Sequence, residues 1–162
     1  MTQRQILYGT RAAYSNVSNM NSLPTGQAKT LKALSNTTML ALDFALYLKL
    51  NLDTSGVSSS SGIVEVYLQE SQTTNSSADG SDGIDSATPS TVDISASIRN
   101  CKLLTILNAN SSGATLRWGG RLRDYIGYVP NVHALIIKNL SGTTFAASSH
   151  DAEYVPIFET ST

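Results

Sequence analysis

The chain has one cysteine, Cys101, in 162 residues. An intramolecular disulfide is therefore excluded, and with it the small secreted scaffold held together by bridges. Histidine is nearly as scarce. His133 and His150 are the only two, and with a lone cysteine they do not supply the clustered tetrahedral set of a zinc site. Charged residues make up 14% of the chain, against about 25% in an ordinary soluble domain. The net charge is −1, so no concentrated basic field is present to attract nucleic acid. No apolar run approaches the ~20 residues that cross a bilayer as a helix. The opening Met1-Thr-Gln-Arg-Gln-Ile-Leu-Tyr-Gly-Thr lacks the apolar stretch of a secretion signal. The chain is expected to be made and folded in a cytoplasm, without a membrane partner. Gly-x-x-x-x-Gly-Lys and Gly-x-Gly-x-x-Gly phosphate loops are missing, as is a Gly-x-Ser-x-Gly nucleophile elbow.

Hydroxyls stand where charge is missing: Ser and Thr number 40. Leu, Ile, Val and Phe number 39, enough for one domain with a core of normal size. The strongest pattern lies at residues 39–52. Leu40, Leu42, Phe44, Leu46, Leu48, Leu50 and Leu52 occupy every second position. A period of two scatters these side chains around a helix but gathers them on one face of a strand, so a long strand is predicted despite the helix propensity of Leu and Ala. Ile63–Gln69 alternates in the same way after a Gly/Ser linker at 53–61, and the two runs read as an antiparallel pair. Residues 71–90 are polar and acidic and read as a loop. Val92, Ile94, Ala96 and Ile98 alternate again. Residues 101–107 are apolar on both faces, as in a central strand covered twice. Further strands are predicted at 114–118, 132–139, 143–147 and 154–158, with a strand or short helix at 30–34. About eight short strands separated by Gly, Ser, Asn and Asp are the pattern of a sandwich or barrel. Residues 1–28 stand apart, with Ile6, Leu7, Tyr8 and Tyr14 set among polar residues. They read as an extended arm that orders on a neighbour.

Chemistry is sparse. His150 lies beside Asp151, but no elbow accompanies it. Asn75, Ser77, Asp79 and Gly80 match the first half of a calcium loop, yet the twelfth position is Ser86 in place of a bidentate glutamate. Glu65 and Glu70 fall on different strand faces or ends, and Cys101 sits among apolar neighbours as a small core residue. Five Asn-x-Ser/Thr triplets occur, at Asn16, Asn36, Asn75, Asn110 and Asn139, as chance predicts in so hydroxyl-rich a chain. The one basic and aromatic cluster is Arg117, Trp118, Arg121 and Arg123, followed by Tyr125 and Tyr128. Trp, Tyr and Arg are the usual anchors of protein interfaces. No catalytic residue, cofactor or metal ligand is assigned.

The order of features resembles small β-sandwich structural proteins of tailed bacteriophages, which decorate the head as cement or form neck and tail components. The likeness rests on the strand Leu40–Leu52, Gly62-Ile-Val-Glu-Val-Tyr-Leu after its Ser-Gly linker, and a disposable acidic loop. It continues through Tyr128-Val-Pro130-Asn-Val-His-Ala-Leu-Ile-Ile-Lys-Asn139-Leu-Ser-Gly142 to His150 and Tyr154 before a last short strand. The resemblance implies an all-β, jelly-roll-like antiparallel sandwich (29–162) behind an N-terminal arm (1–28), acting without catalysis on the virion surface. Head decoration that stabilises the shell of major capsid protein is favoured over a neck or tail place. Symmetric self-association, a trimer among the candidates, is the companion expectation. Ile6, Leu7, Tyr8 and Tyr14 are the predicted docking residues, with Arg117, Arg121 and Arg123 as a second patch. Removal of residues 1–20 is then expected to leave the sandwich folded. The alternatives from other classes are a carbohydrate-binding sandwich with Trp118, Tyr125 or Tyr128 as a stacking platform, and a hydrolase using His150 with Asp151.

Overall fold

The computed structural model describes residues 4–31, 34–55, 61–71 and 101–161. Ten strands run through them: β1 (Arg4–Tyr8), β2 (Ala12–Ala13), β3 (Ala28–Thr30), β4 (Leu34–Ser35), β5 (Asp43–Asn51), β6 (Ile63–Ser71), β7 (Lys102–Asn108), β8 (Thr115–Arg121), β9 (Val132–Leu140) and β10 (Asp151–Ser161). A 3-10 turn at Val17–Met20 and a short helix, α1 (Leu122–Ile126), accompany them. The strands form two antiparallel sheets. One has the order β1-β10-β5-β8 with β2 also on β10, and the other β3-β9-β6-β7 with β4 also on β9.

Setting aside the two-residue β2 and β4 leaves eight principal strands. Counted along the chain, the first pairs with the last, the second with the seventh, the third with the sixth and the fourth with the fifth. This is one antiparallel ribbon rolled on itself, the double Greek key of a jelly roll. The sandwich predicted from alternation is the fold observed.

Alternation does the work in the core. Phe44, Leu46, Leu48 and Leu50 of β5 and the following Leu52 are buried in one cluster with Val64, Val66 and Leu68 of β6 and Leu135 and Ile137 of β9. Between them, Ala45, Tyr47, Lys49 and Asn51 form outer-face rows with β8 and β10. β9 is buried on both sides, because Ile136 meets a second, smaller cluster with Ala28, Tyr67 and Cys101. Close approach at the sheet ends requires Gly62. A Cβ there would stand 2.4 Å from the Ser141 carbonyl oxygen and 2.6 Å from that of Ala109. Gly62→Ala must push three backbone segments apart and is expected to lose about 2–3 kcal/mol in a denaturant titration.

Several sequence expectations are corrected. The runs at 39–52 and 63–69 do not pair with each other: β5 lies between β10 and β8, and β6 between β9 and β7. Each has its apolar face inward, but a rolled ribbon sends successive strands to opposite sheets. Among the described residues β7 is an edge strand with Leu103 and Ile106 exposed, not a central strand. Residues 143–147 contribute only a Leu52–Phe145 bridge. The 29–162 boundary also moves. From Arg4 onward the expected arm belongs to the sandwich, with β1 and β2 on β10 and Tyr14, Met20 and Leu23 in the core. Removing residues 1–20 would strip two strands, β1 and β2, and the core side chains Tyr14 and Met20, so it cannot leave the fold intact. The expected strand at 92–98, the calcium half-motif at 75–86 and, beyond Ser71, which ends β6, the acidic loop at 71–90 lie outside the described residues.

Candidate docking surface

β1 forms because Gln-Ile-Leu-Tyr suits a pleated ladder, and residues 157–161 of β10 supply its partner. All five β1 residues are exposed. Ile6 is 61% and Tyr8 67% exposed, and Leu7 is exposed as well. Register sets Leu7 beside Phe158. Leu42 flanks the other side of β10, its N–H donating to the Ile157 carbonyl at 2.8 Å. Leu40, Leu42 and Phe158 line an open depression of about 410 Å³ with Arg4 and Glu159. Arg4 and Glu159 pair at 3.2 Å on its rim.

Leu40 is 74% exposed and has a φ of 52°, a left-handed conformation that leucine avoids. The loop is clamped around it. The Asn36 side-chain amide donates to the Ala41 carbonyl at 3.0 Å and its Oδ1 accepts the Ala41 N–H at 2.8 Å, while the Leu40 N–H donates to the Asn36 carbonyl at 2.9 Å. Both Asn36 contacts are buried. An apolar side chain held outward on strained backbone is a feature kept against local preference, as functional sites are. Sequence reasoning placed Leu40 and Leu42 in the buried row because they share the β5 period. Only the backbone turn before Asp43 separates them from it.

The predicted docking residues divide. Leu7 lies beside Phe158 on the face that carries the depression, whereas Ile6 and Tyr8, alternating with it, are exposed on the opposite face of β1. Tyr14 is on neither face, being 3% exposed, with its hydroxyl 3.1 Å from His133 Nε2 and its ring edge-on to Tyr154. Burial, with Tyr154 adding to it, raises the Tyr14 pKa above the usual phenol value. It is a core residue, and the docking role assigned to it is corrected.

The arginines do not form one patch. Arg121 Nε donates to buried Asp43 Oδ2 at 2.9 Å, and Asp43 Oδ1 also accepts the Arg123 N–H at 3.0 Å. That carboxylate ties β5 to the start of α1, a structural task for Arg121. Arg117 instead points from β8 into a groove of about 370 Å³ on the outer sheet face, shared with Arg11, Tyr47, Lys49, Asp151 and Glu153. Within the groove, Lys49 pairs with Asp151 at 3.1 Å, Arg11 pairs with Glu153, and the Arg11 guanidinium lies 5.2 Å from the Tyr47 ring centre. Of the three residues proposed as a stacking platform, Trp118 and Tyr125 lie together with ring centres 5.4 Å apart, and Tyr128 stands apart from them. Trp118 packs against the core and donates to the Tyr125 hydroxyl at 3.1 Å, while Tyr128 stacks with Lys102 and donates to Glu70.

The other groups with chemical potential in the sequence have structural surroundings. His150 Nε2 donates to the Ala146 carbonyl at 2.9 Å and its Nδ1 accepts the Asn51 N–H at 3.2 Å, so neither nitrogen is open to take a proton from a nucleophile. Its neighbour Asp151 is paired with Lys49. Burial pushes the Cys101 thiol up to about 11, away from reactivity. Glu65 accepts from Tyr67 and pairs with Lys138 at 3.1 Å. No helix among the described residues is long and apolar enough to cross a membrane. Fold and surface thus define a jelly-roll sandwich with a fixed apolar end. The chain matches no protein-family model, and no curated protein is significantly similar to it.

Proposed function

We propose that the protein is a non-enzymatic virion component of a tailed phage, a decoration or cement protein that binds the major capsid shell. Subunits assembled in the bacterial cytoplasm bridge neighbouring shell proteins from the particle surface. They stabilise it by adding interface area rather than by chemistry. The observation that carries this reading is the apolar end, where Leu40, on clamped backbone, Leu42 and Phe158 line one depression with Leu7 beside Phe158. Contiguous exposed apolar surface of this kind marks protein–protein contact. The same fold serves viral shells and lectins, so the surface decides between them.

Two measurements test it. Quantitative mass spectrometry of purified particles should find the chain at a copy number comparable to the major capsid protein. A number matching one ring would move it to the neck or tail, and absence would overturn the virion reading. The double variant Leu40→Asp/Leu42→Asp should keep its unfolding free energy within about 1 kcal/mol, because both side chains are exposed. Its binding to particles stripped of the chain should fall at least roughly tenfold as two carboxylates are desolvated. Unchanged binding would remove the apolar end from the docking surface.

The outer groove favours the carbohydrate reading, which glycan-array binding would support. Against it, Lys49 and Arg11 already have carboxylate partners, and the Tyr47 ring lies between the Arg11 guanidinium and Gly119.

A further inference from the structure

Among the described residues the two open sheets have four edges, and exposed edges invite pairing with other chains. Three are blunted here. β3 and β4 are three and two residues long. β7 begins at Lys102, and its ladder with β6 shifts register at Val66/Tyr67. β8 carries Arg117 and Arg121 and runs straight into α1. The fourth, β1, has no proline, no lysine and an unbroken register against β10. Among the described residues it is the terminal strand of its sheet.

The groups on its outer side can be identified. The Gly9 N–H donates to the Pro156 carbonyl at 2.8 Å, continuing the register that sets Tyr8 against Ile157 and Leu7 against Phe158. Bonded pairs alternate along an antiparallel ladder. Gln5 and Leu7 therefore turn their N–H and C=O toward β10, and Arg4, Ile6 and Tyr8 turn theirs to the open edge.

We propose that a second copy of this chain occupies that edge, with β1 pairing antiparallel to β1 across a two-fold axis at Ile6. This names a partner for part of the surface described above and rests on the same exposed edge. Ile6 then faces Ile6 of the other copy, and Arg4 faces Tyr8. All outward groups are used, in about six main-chain hydrogen bonds. A two-fold interface demands self-complementarity, and the side chains supply it. The apolar residue meets itself at the axis, while the Arg4 guanidinium meets the Tyr8 ring as a cation–π pair. Sliding the register by two residues leaves Arg4 or Tyr8 without its partner. The paired sheet runs through both subunits and sets two apolar ends, each with Leu7, Leu42 and Phe158, on either side of the axis. Five-residue pairing lies at the small end of specific interfaces, so the dimer is expected to be concentration-dependent.

Sedimentation equilibrium of the full chain across micromolar concentrations tests this. A dimer of twice the chain mass is expected. Ile6→Pro removes an outward N–H and leaves the bonds to β10 in place, so dimer affinity should drop roughly 100-fold with the circular dichroism and unfolding midpoint unchanged. Ile6→Lys sets two ammonium groups together at the axis and should give the same loss, relieved by salt. A chain that stays monomeric throughout, a trimer, or a dimer untouched by both substitutions would overturn the proposal. Particle binding, measured separately, distinguishes the two readings. An Ile6→Pro monomer that still binds shells leaves the decoration role standing, and an unaltered dimer that binds none overturns that role alone.

Discussion

Asn139→Asp is expected to destabilise the fold by about 4 kcal/mol and Asn139→Ala by about 3 kcal/mol, read from denaturant titrations. Asn139 is completely buried. Its Nδ2 donates to the Leu23 carbonyl at 2.9 Å and the Thr143 carbonyl at 2.8 Å, while Oδ1 accepts the Ser141 N–H at 3.0 Å and the Ser141 hydroxyl at 2.6 Å. Its main chain adds the Gly26 N–H to the Asn139 carbonyl and the Asn139 N–H to the Gln27 carbonyl. One side chain thus joins β9, the turn after it and the segment entering β3. Alanine leaves these groups short of partners. Aspartate is worse, because an acceptor replaces the donor facing two carbonyls. Burial raises the new carboxyl's pKa, so the aspartate variant should regain part of its deficit against the unaltered protein as pH falls. Equal tolerance of aspartate and alanine would refute the two-carbonyl geometry. The Asn139-Leu-Ser141 triplet, legible as a glycosylation sequon, is here an internal clamp.

Stability is expected to fall by about 3 kcal/mol between pH 7 and pH 4 through His133. Burial lowers its pKa to about 4 from the ordinary 6.5. Between those values the unfolded chain holds a proton that the folded chain refuses, so acid favours unfolding. Below about pH 4 both states are protonated and this slope ends. His150, also lowered, chiefly by burial, acts in the same direction. The difference between the unaltered protein and His133→Gln isolates His133. Glutamine can still meet the Tyr14 hydroxyl but does not titrate, and its profile should be flatter across this window. Parallel profiles would show that His133 is protonated equally in both states.

The sandwich was legible because Phe44, Leu46, Leu48 and Leu50 alternate without interruption, and a strand buried on one face leaves no other solution. Which strand lies beside which was not. Val64, Val66 and Leu68 are equally suited to pair with β5 or to face it across the core, and alternation is silent between the two. Tyr14, Met20 and Leu23 were missed as core because they drop in singly from turns, at spacings that follow neither a helix nor a strand. At the surface, Ile6, Leu7 and Tyr8 stood out as apolar residues without a period. Leu40 and Leu42 did not, since they continue the period of a genuine strand, and Leu40 is set apart only by its φ of 52°. Arg121 looked like an interface residue because its partner, Asp43, is one of the polar positions interleaved with the leucines.

Pairing of the first strand with the last also orders events during synthesis. β10 is the last strand of the ribbon, yet it lies at the centre of its sheet, with β1 and β2 on one side and β5 on the other. Such long-range pairing closes late and slowly. While the ribosome has yet to deliver residues 151–161, β1 has no ladder to join, and the edge and apolar end it helps form do not exist. A chain cut short before β10 therefore cannot form that edge or the apolar end beside it.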